Sequence, residues 1–348
     1  MRKGDFPYEG KEEKEINFAL YNRAQINEIN DVLEMIRDTV ETASARLQKM
    51  PAPKRPGQPP IPIDDVVKVL LMQSYFGVSN RVTEGFLRLF KEKLRIASNF
   101  SYKTIERGYD PERSKELLDE VFKITNEIGN PFENKFGIDG TGDPTNMKVN
   151  YESKRAEQRK EKEENQEKSD AFPSTKHDFQ YSVLSIGLHT KIFGGVSTTD
   201  DHSLGELFHF ENVMNQTLTN CPNFNTLAAD GLYANRMVCA FLEDHEISPY
   251  LLPRSNVTFR PKGVQLWKDM LHALITDPQA WLEGYHDRSI SETGNSMLKR
   301  REPTKIRKKL SERKDTEEIL KFNVHNIRQI GYLWYLAPHL LRPEVLAS

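Results

Sequence analysis

The chain has 348 residues, 37% hydrophobic and 29% charged, which suits a water-soluble protein with room for two domains and a sizeable core. A formal net charge of −2 rules out a polycation, and two cysteines, Cys221 and Cys239, rule out a disulfide scaffold or a paired-thiol metal knuckle. No apolar run reaches the ~20 residues of a membrane span, and the first residues lack a signal-peptide core. The expectation is therefore a cytoplasmic chain with reduced, buried thiols and no membrane partner.

Residues 1–50 are expected as an N-terminal helical segment. Ile26, Ile29, Leu33, Ile36, Val40, Ala43 and Leu47 recur in steps of three and four, which predicts a helix over about 25–49. Such a seam serves either a homodimer or packing within the chain. Residues 51–62 form a proline-rich, stiff linker carrying Lys54 and Arg55. Residues 63–130 read as a small helical domain. Asp64 and Asp65 open its first helix, Gly77 closes it, Ser79 or Asn80 caps the next, and Ser101 caps a third over 102–107. Helix, glycine, helix fits a DNA-reading helix-turn-helix and equally a plain three-helix bundle.

From about 131 to 340 the pattern becomes mixed α/β. Phe136–Asp139 reads as a short strand ending in an acid, with further strands over 181–189 and 191–197. A helix follows over 204–218. Asn225–Asp230 is a second strand that ends in an acid, followed by a helix over 235–246 and a strand over 247–252. Residues 151–170 carry six cations and seven acids with almost nothing apolar, and read as a charged insertion without chemistry. Trp267, Trp281, Trp334 and Tyr335 are read as core. His177-Asp178, Asp200-Asp201-His202 and His286 are read as turn or surface groups rather than metal ligands.

Three acids stand out. Asp139 in Ile138-Asp139-Gly140-Thr141-Gly142 and Asp230 in Ala229-Asp230-Gly231-Leu232-Tyr233 each join a carboxylate to glycine at an expected strand end. Either alone is an ordinary turn. Together, on neighbouring strands, they would need a divalent cation to stay ionised. Glu292 lies in a stretch expected to be one helix, with Tyr285, Arg288 and Lys299. The bland reading is an exposed Arg288–Glu292 pair at i,i+4. The run that follows is strongly basic. Lys299, Arg300, Arg301, Lys305, Arg307, Lys308, Lys309, Arg313 and Lys314 are opposed only by Glu302 and Glu312, a pattern suited to phosphates.

The gaps of two, three and six residues between Tyr285, Arg288, Glu292 and Lys299 resemble the tyrosine–arginine–glutamate–lysine signature of insertion-sequence DDE transposases. The units around Asp139 and Asp230 resemble that family's first and second acid motifs, in the same order, and the resemblance covers about 135–335. It implies a ribonuclease H-like α/β catalytic domain behind an all-α DNA-binding region. It implies Asp139, Asp230 and Glu292 as catalytic and metal-binding residues for two Mg²⁺ or Mn²⁺ ions, with no organic cofactor. Tyr285, Arg288, Lys299, Arg300 and Arg301 would contact DNA, although Arg288 could instead orient Glu292. The implied activity is recognition of element ends, strand cleavage and strand transfer, by a homodimer associated with the nucleoid. A catalytically inactive DNA-binding relic and a hydrolytic nuclease of the same fold remain as alternatives.

Overall fold

A computed structural model describes residues 17–47, 61–145, 179–201, 204–254, 257, 262–301 and 305–346. Residues 51–60 of the linker, the charged stretch 151–170, and His177, Asp178 and His202 fall outside these.

The first part is helical: α1 (Phe18–Arg46), α2 (Ile63–Phe76), α3 (Asn80–Phe90), α4 (Tyr102–Gly108) and α5 (Pro111–Gly129). The expected punctuation is present. Gly77 takes the left-handed conformation that closes α2, and Ser79 and Ser101 precede α3 and α4. Asp65 in the first turn of α2 is buried, and its carboxyl is pushed up by that burial and by Asp64.

The seam on α1 divides. Leu33, Ile36, Val40 and Ala43 are buried against other helices of the same chain, while Ile26 and Ile29 are 83% and 51% exposed. Packing within the chain thus accounts for the C-terminal two-thirds of the 26–47 seam, which is already spent on the protein's own core.

The second part contains, among the described residues, one five-stranded sheet in the order β3-β2-β1-β4-β5. Strands β1 (Lys135–Pro144), β2 (Phe179–Gly187) and β3 (Phe193–Thr199) run antiparallel in succession, and β4 (Thr226–Ala229) and β5 (Ser248–Leu251) lie parallel to β1. Helix α6 (Glu206–Asn220) and α7 (Arg236–Asp244) precede and follow β4. Then come α8 (Gln265–Thr276), α9 (Pro278–His286), α10 (Ser289–Arg301) and α11 (Ser311–Leu336).

Strand β1 alternates strictly. Phe136 and Ile138 join the apolar core beneath α6 and α7. Gly137, Asp139, Thr141 and Asp143 therefore face the other side. There Gly137 meets Ser291 of α10, Asp139 meets Asn295 of α10, and Asp143 meets Lys321 of α11.

The expected boundary near residue 130 separates two apolar clusters, except that the C-terminal part of the chain rejoins the first. Leu320, Val324, Ile327, Ile330 and Leu333 of α11 share one apolar cluster with α1, α2 and α5. Glu28 of α1 accepts hydrogen bonds from Arg328 and Tyr332 of α11, both at 2.6 Å. Those partners hold its carboxyl below the usual range against the upward pull of burial. The C-terminal helix thus belongs to the helical part as much as to the sheet. Trp334 is 51% exposed, contrary to its reading as core, because Ile330 and Leu333 occupy the buried face of that turn. Tyr335 bonds Asp31 on α1. Cys221 and Cys239 are buried, free thiols, pushed up by burial. No helix among the described residues is long and apolar enough to cross a membrane.

Candidate metal and DNA site

Sheet register places the first two acids. Ile138 of β1 pairs with Ala229 of β4, so Asp139 and Asp230, one residue on, lie side by side on adjacent parallel strands. Asp139 is not at a strand end as expected. Strand β1 runs on to Pro144 because β2 pairs along its full length, with Leu184 opposite Asp139. It is β4 that stops, one residue before Asp230. The longer strand thus carries its acid to the point where the shorter one frees its own.

Each carboxylate is anchored. Asp139 accepts from Gly140 N–H at 3.0 Å and from Asn295 Nδ2 at 2.9 Å. Asp230 accepts from Leu232 N–H at 2.8 Å. Burial pushes the Asp139 carboxyl up, the Glu206 and Asp230 charges push it further, and the two hydrogen bonds pull it back.

The Tyr285–Lys299 stretch is two helices rather than one. Residues 287–288 form a turn between α9 and α10. Bonds of i,i+3 type run from Arg288 to Tyr285, from Ile290 to Asp287 and from Ser291 to Arg288. The hydroxyls of Ser289 and Ser291 take the His286 and Arg288 carbonyls. These local bonds tighten the chain and replace the α-helical pattern.

The joint sorts the four residues. Tyr285 ends α9, is 6% exposed, and stacks on Trp281 with centroids 5.4 Å apart. Burial raises its hydroxyl's affinity for its proton, and the Asp230 and Glu292 charges add to this while Arg288 opposes it. Arg288 sits in the turn and donates to Glu292 Oε1 at 2.5 Å. Glu292 opens α10 with its side chain 56% exposed. Asn295, one turn on, is the residue that touches Asp139. Lys299 and Arg300 are exposed at the far end of α10, and Arg301 lies over the Tyr332 ring at 4.6 Å.

About half of the expected phosphate footprint is used internally. Arg307 donates to the Gly77 carbonyl at 2.6 Å. Lys308 is buried, pairs with Glu106 at 2.6 Å and lies 3.7 Å from the Tyr109 ring centre. Arg313 pairs with Asp110 and Glu106, and buried Lys314 with Asp200. These cations tie residues 307–314 to the end of α2, to α4 and the residue after it, and to Asp200 after β3. Lys305 and Lys309 stay exposed. A cleft of about 700 Å³ opens between the two parts, with Arg81, Arg307 and Lys309 on its walls.

Glu206 is the residue that sequence patterns miss. Its carboxylate accepts a hydrogen bond from the Tyr181 hydroxyl and weighs on Asp139 more than Asp230 does. In sequence, Leu204-Gly205-Glu206 reads only as a helix start, and nothing there signals the strands β1 and β2 it meets.

A divalent ion fits the donor set: carboxylate oxygens alone are hard ligands of the kind Mg²⁺ and Mn²⁺ take. The Tyr233 hydroxyl, three residues after Asp230, is buried without a hydrogen-bond partner among the described residues. As placed, no three His, Cys, Asp or Glu side chains among the described residues are grouped as one ion would need. The chain matches no family model, no curated protein and no solved structure.

Proposed function

We propose that the protein is a DDE-type transposase that binds element ends and performs metal-dependent strand cleavage and strand transfer. The observation that carries this reading is the register of β1 and β4, which sets Asp139 beside Asp230 under the helix that bears Glu292. The strand order, with three antiparallel strands and two parallel ones, is compatible with a ribonuclease H-like catalytic fold.

Asp139, Asp230 and Glu292 would hold Mg²⁺ or Mn²⁺. When bound, such ions activate a hydroxyl nucleophile and stabilise the leaving oxygen of a phosphodiester. The chain's own groups provide the rest. Asn295 and Gly140 N–H fix the Asp139 carboxylate. Arg288 holds Glu292 and presents a guanidinium beside the Tyr285 ring, 6.0 Å from its centre. Lys299 and Arg300, on the last turn of α10, would take up the DNA backbone, with Arg81 and Lys309 in the cleft extending the cationic surface. Arg301 would contribute from its place over Tyr332. A homodimer in the nucleoid-bearing cytoplasm accords with holding two ends.

The test is nicking of DNA carrying the element's own termini, with Mn²⁺, by the wild type and by Asp139→Ala, Asp230→Ala and Glu292→Ala. Each substitution should abolish nicking and leave end binding in place. Normal cleavage by any of them would remove that acid from the site. Joining of pre-cut ends to a target separates transposition from simple hydrolysis.

A further inference from the structure

The segment after α10 is fastened to the helical part by residues that line the cleft between them. Lys308 is buried, and its ammonium donates to Glu106 at 2.6 Å and to Asn80 at 3.3 Å. Arg313 donates to Glu106 at 2.8 Å and to Asp110 at 2.7 Å. Arg307 donates to the carbonyl of Gly77, the residue that closes α2. Glu317 of α11 accepts from the Arg307 and Lys308 N–H groups, both at 2.9 Å, and so fixes the backbone of the segment. The two walls are therefore held to each other by the chain's own bonds, and the cleft is built before any ligand arrives.

The same bonds decide what charge the cleft presents. Glu106 and Glu317 are the two acids among its lining residues. Glu106 is taken up by Lys308 and Arg313, and Glu317 by the two backbone N–H groups. Lys321 is matched by Asp143. Arg81 on one wall, and Arg307 and Lys309 on the other, are exposed and pair with no acid among the described residues. The Arg81 guanidinium rests over the Tyr102 ring, 5.3 Å from its centre. Three unmatched cations around a space of about 700 Å³ attract an anion, and planar guanidinium forks suit phosphate oxygens best.

We infer that the cleft is a phosphate site in which one phosphate group is shared between Arg81 of the helical part and Arg307 and Lys309 of the segment after α10. Its source is the backbone of duplex DNA. A free phosphate compound would need only the cations of the cleft. Here exposed Lys103 and Arg107, next in sequence to the lining residues Tyr102 and Glu106, and exposed Lys305, two residues before Arg307, add positive charge beside it. A backbone that brings one charge after another along its length uses such neighbours.

This deepens the DNA-binding half of the reading above and involves none of Asp139, Asp230 and Glu292. It adds a contact that both parts of the chain make to a single phosphate. A duplex held there, whatever its sequence, also clamps the corner of α2, α3 and α4 against the stretch that leads from α10 to α11.

The deciding experiment measures binding of the full-length protein to a labelled duplex of arbitrary sequence by fluorescence anisotropy, and to pyrophosphate by calorimetry. The proteins compared are the wild type, Arg81→Gln, Lys309→Gln, the double variant, and Lys115→Gln, each checked for its circular dichroism spectrum. Lys115 is exposed on α5 and lies outside the cleft lining, so its variant controls for net charge. A charge-assisted hydrogen bond is worth about a factor of ten, so each single cleft variant should weaken both probes by about tenfold. The double variant should lose less than the product of the two single losses, because the two contacts share one phosphate. A wild type that binds neither probe, single variants that bind both as the wild type does, or a Lys115→Gln loss as large as theirs overturns the proposal. Losses that simply multiply mean two separate contacts and overturn the shared phosphate. A loss for pyrophosphate without a loss for the duplex removes DNA as the source. Asp139→Ala should bind both probes as the wild type does. If the expected losses appear while no protein cleaves DNA, the catalytic reading fails and the phosphate site stands.

Discussion

Asn295 donates to Asp139 Oδ2 at 2.9 Å across 156 residues of sequence, and this bond ties the helix that carries Glu292 to the strand that carries the first acid. Asn295→Ala should leave end binding unchanged and slow cleavage. One hydrogen bond to a charged acceptor is worth about 1.5 kcal/mol or more, which corresponds to roughly tenfold in rate. Single-turnover cleavage rates against end-binding affinity by fluorescence anisotropy make the comparison. Equal losses in both would mean that Asn295 serves packing rather than the carboxylate.

On the same face of β1, Lys321 is 1% exposed and lies 2.5 Å from Asp143 and 3.5 Å from Glu318, both also buried. Burial pushes the Glu318 carboxyl well up, and the Lys321 charge is raised and held by the acids. Lys321→Met leaves Asp143 without its cation and should destabilise by about 3–5 kcal/mol in urea unfolding. Replacing all three by apolar residues of similar volume should recover most of that loss. A single substitution that cost nothing would show that water reaches the cluster.

Asp315 has its carboxyl pushed up to about 6 by burial and by Asp200. A raised folded value means that the native state binds the proton more tightly than the unfolded chain. Its contribution is full below about pH 4 and is lost as pH rises to about 6. Asp315→Asn keeps an oxygen for the Gln180 amide, which donates to Asp315 Oδ1 at 2.6 Å. After solvent screening the gain at pH 7–8 should be on the order of 1 kcal/mol, or a Tm about 2 °C higher, vanishing near pH 4. Thermal melts at pH 4 and pH 8 read this directly, and an offset that ignored pH would remove Asp315 as its source.

Helix α6 reaches the sheet because Gly195 admits it. A methyl there would lie 2.3 Å from the Val213 carbonyl oxygen, which is backbone and cannot swing aside. Gly195→Ala should destabilise by about 1–3 kcal/mol. Full stability in the variant would show that the helix can slide without cost.

The sequence was most legible where chemistry is local. Gly77, Ser79 and Ser101 mark helix ends through backbone requirements that act within a few residues, and all stand at helix boundaries. The strands around Asp139 and Asp230 were visible because buried apolar runs and Asp-Gly steps are local too. The continuation of β1 beyond Asp139 was not visible, since it depends on β2 lying alongside. The break between α9 and α10 depends on two serine hydroxyls taking carbonyls in place of solvent. The basic run looked free because Glu106, Asp110 and Asp200, which neutralise part of it, lie one to two hundred residues earlier. Glu206 has no local mark at all; only the packing of α6 on Gly195 and Gly140 brings it to Tyr181 beside β1.

The Glu28 contacts to Arg328 and Tyr332 span 300 and 304 residues. A ribosome working at about 5–20 residues per second therefore leaves the part of α1 that α11 covers exposed for roughly 15–60 s before α11 emerges. Through that interval Leu33, Ile36 and Val40 have only the earlier helices, α2 and α5 among them, to pack on. A copy of the gene truncated before residue 311 would make a product that never closes this face, so synthesis itself discriminates between whole and broken copies.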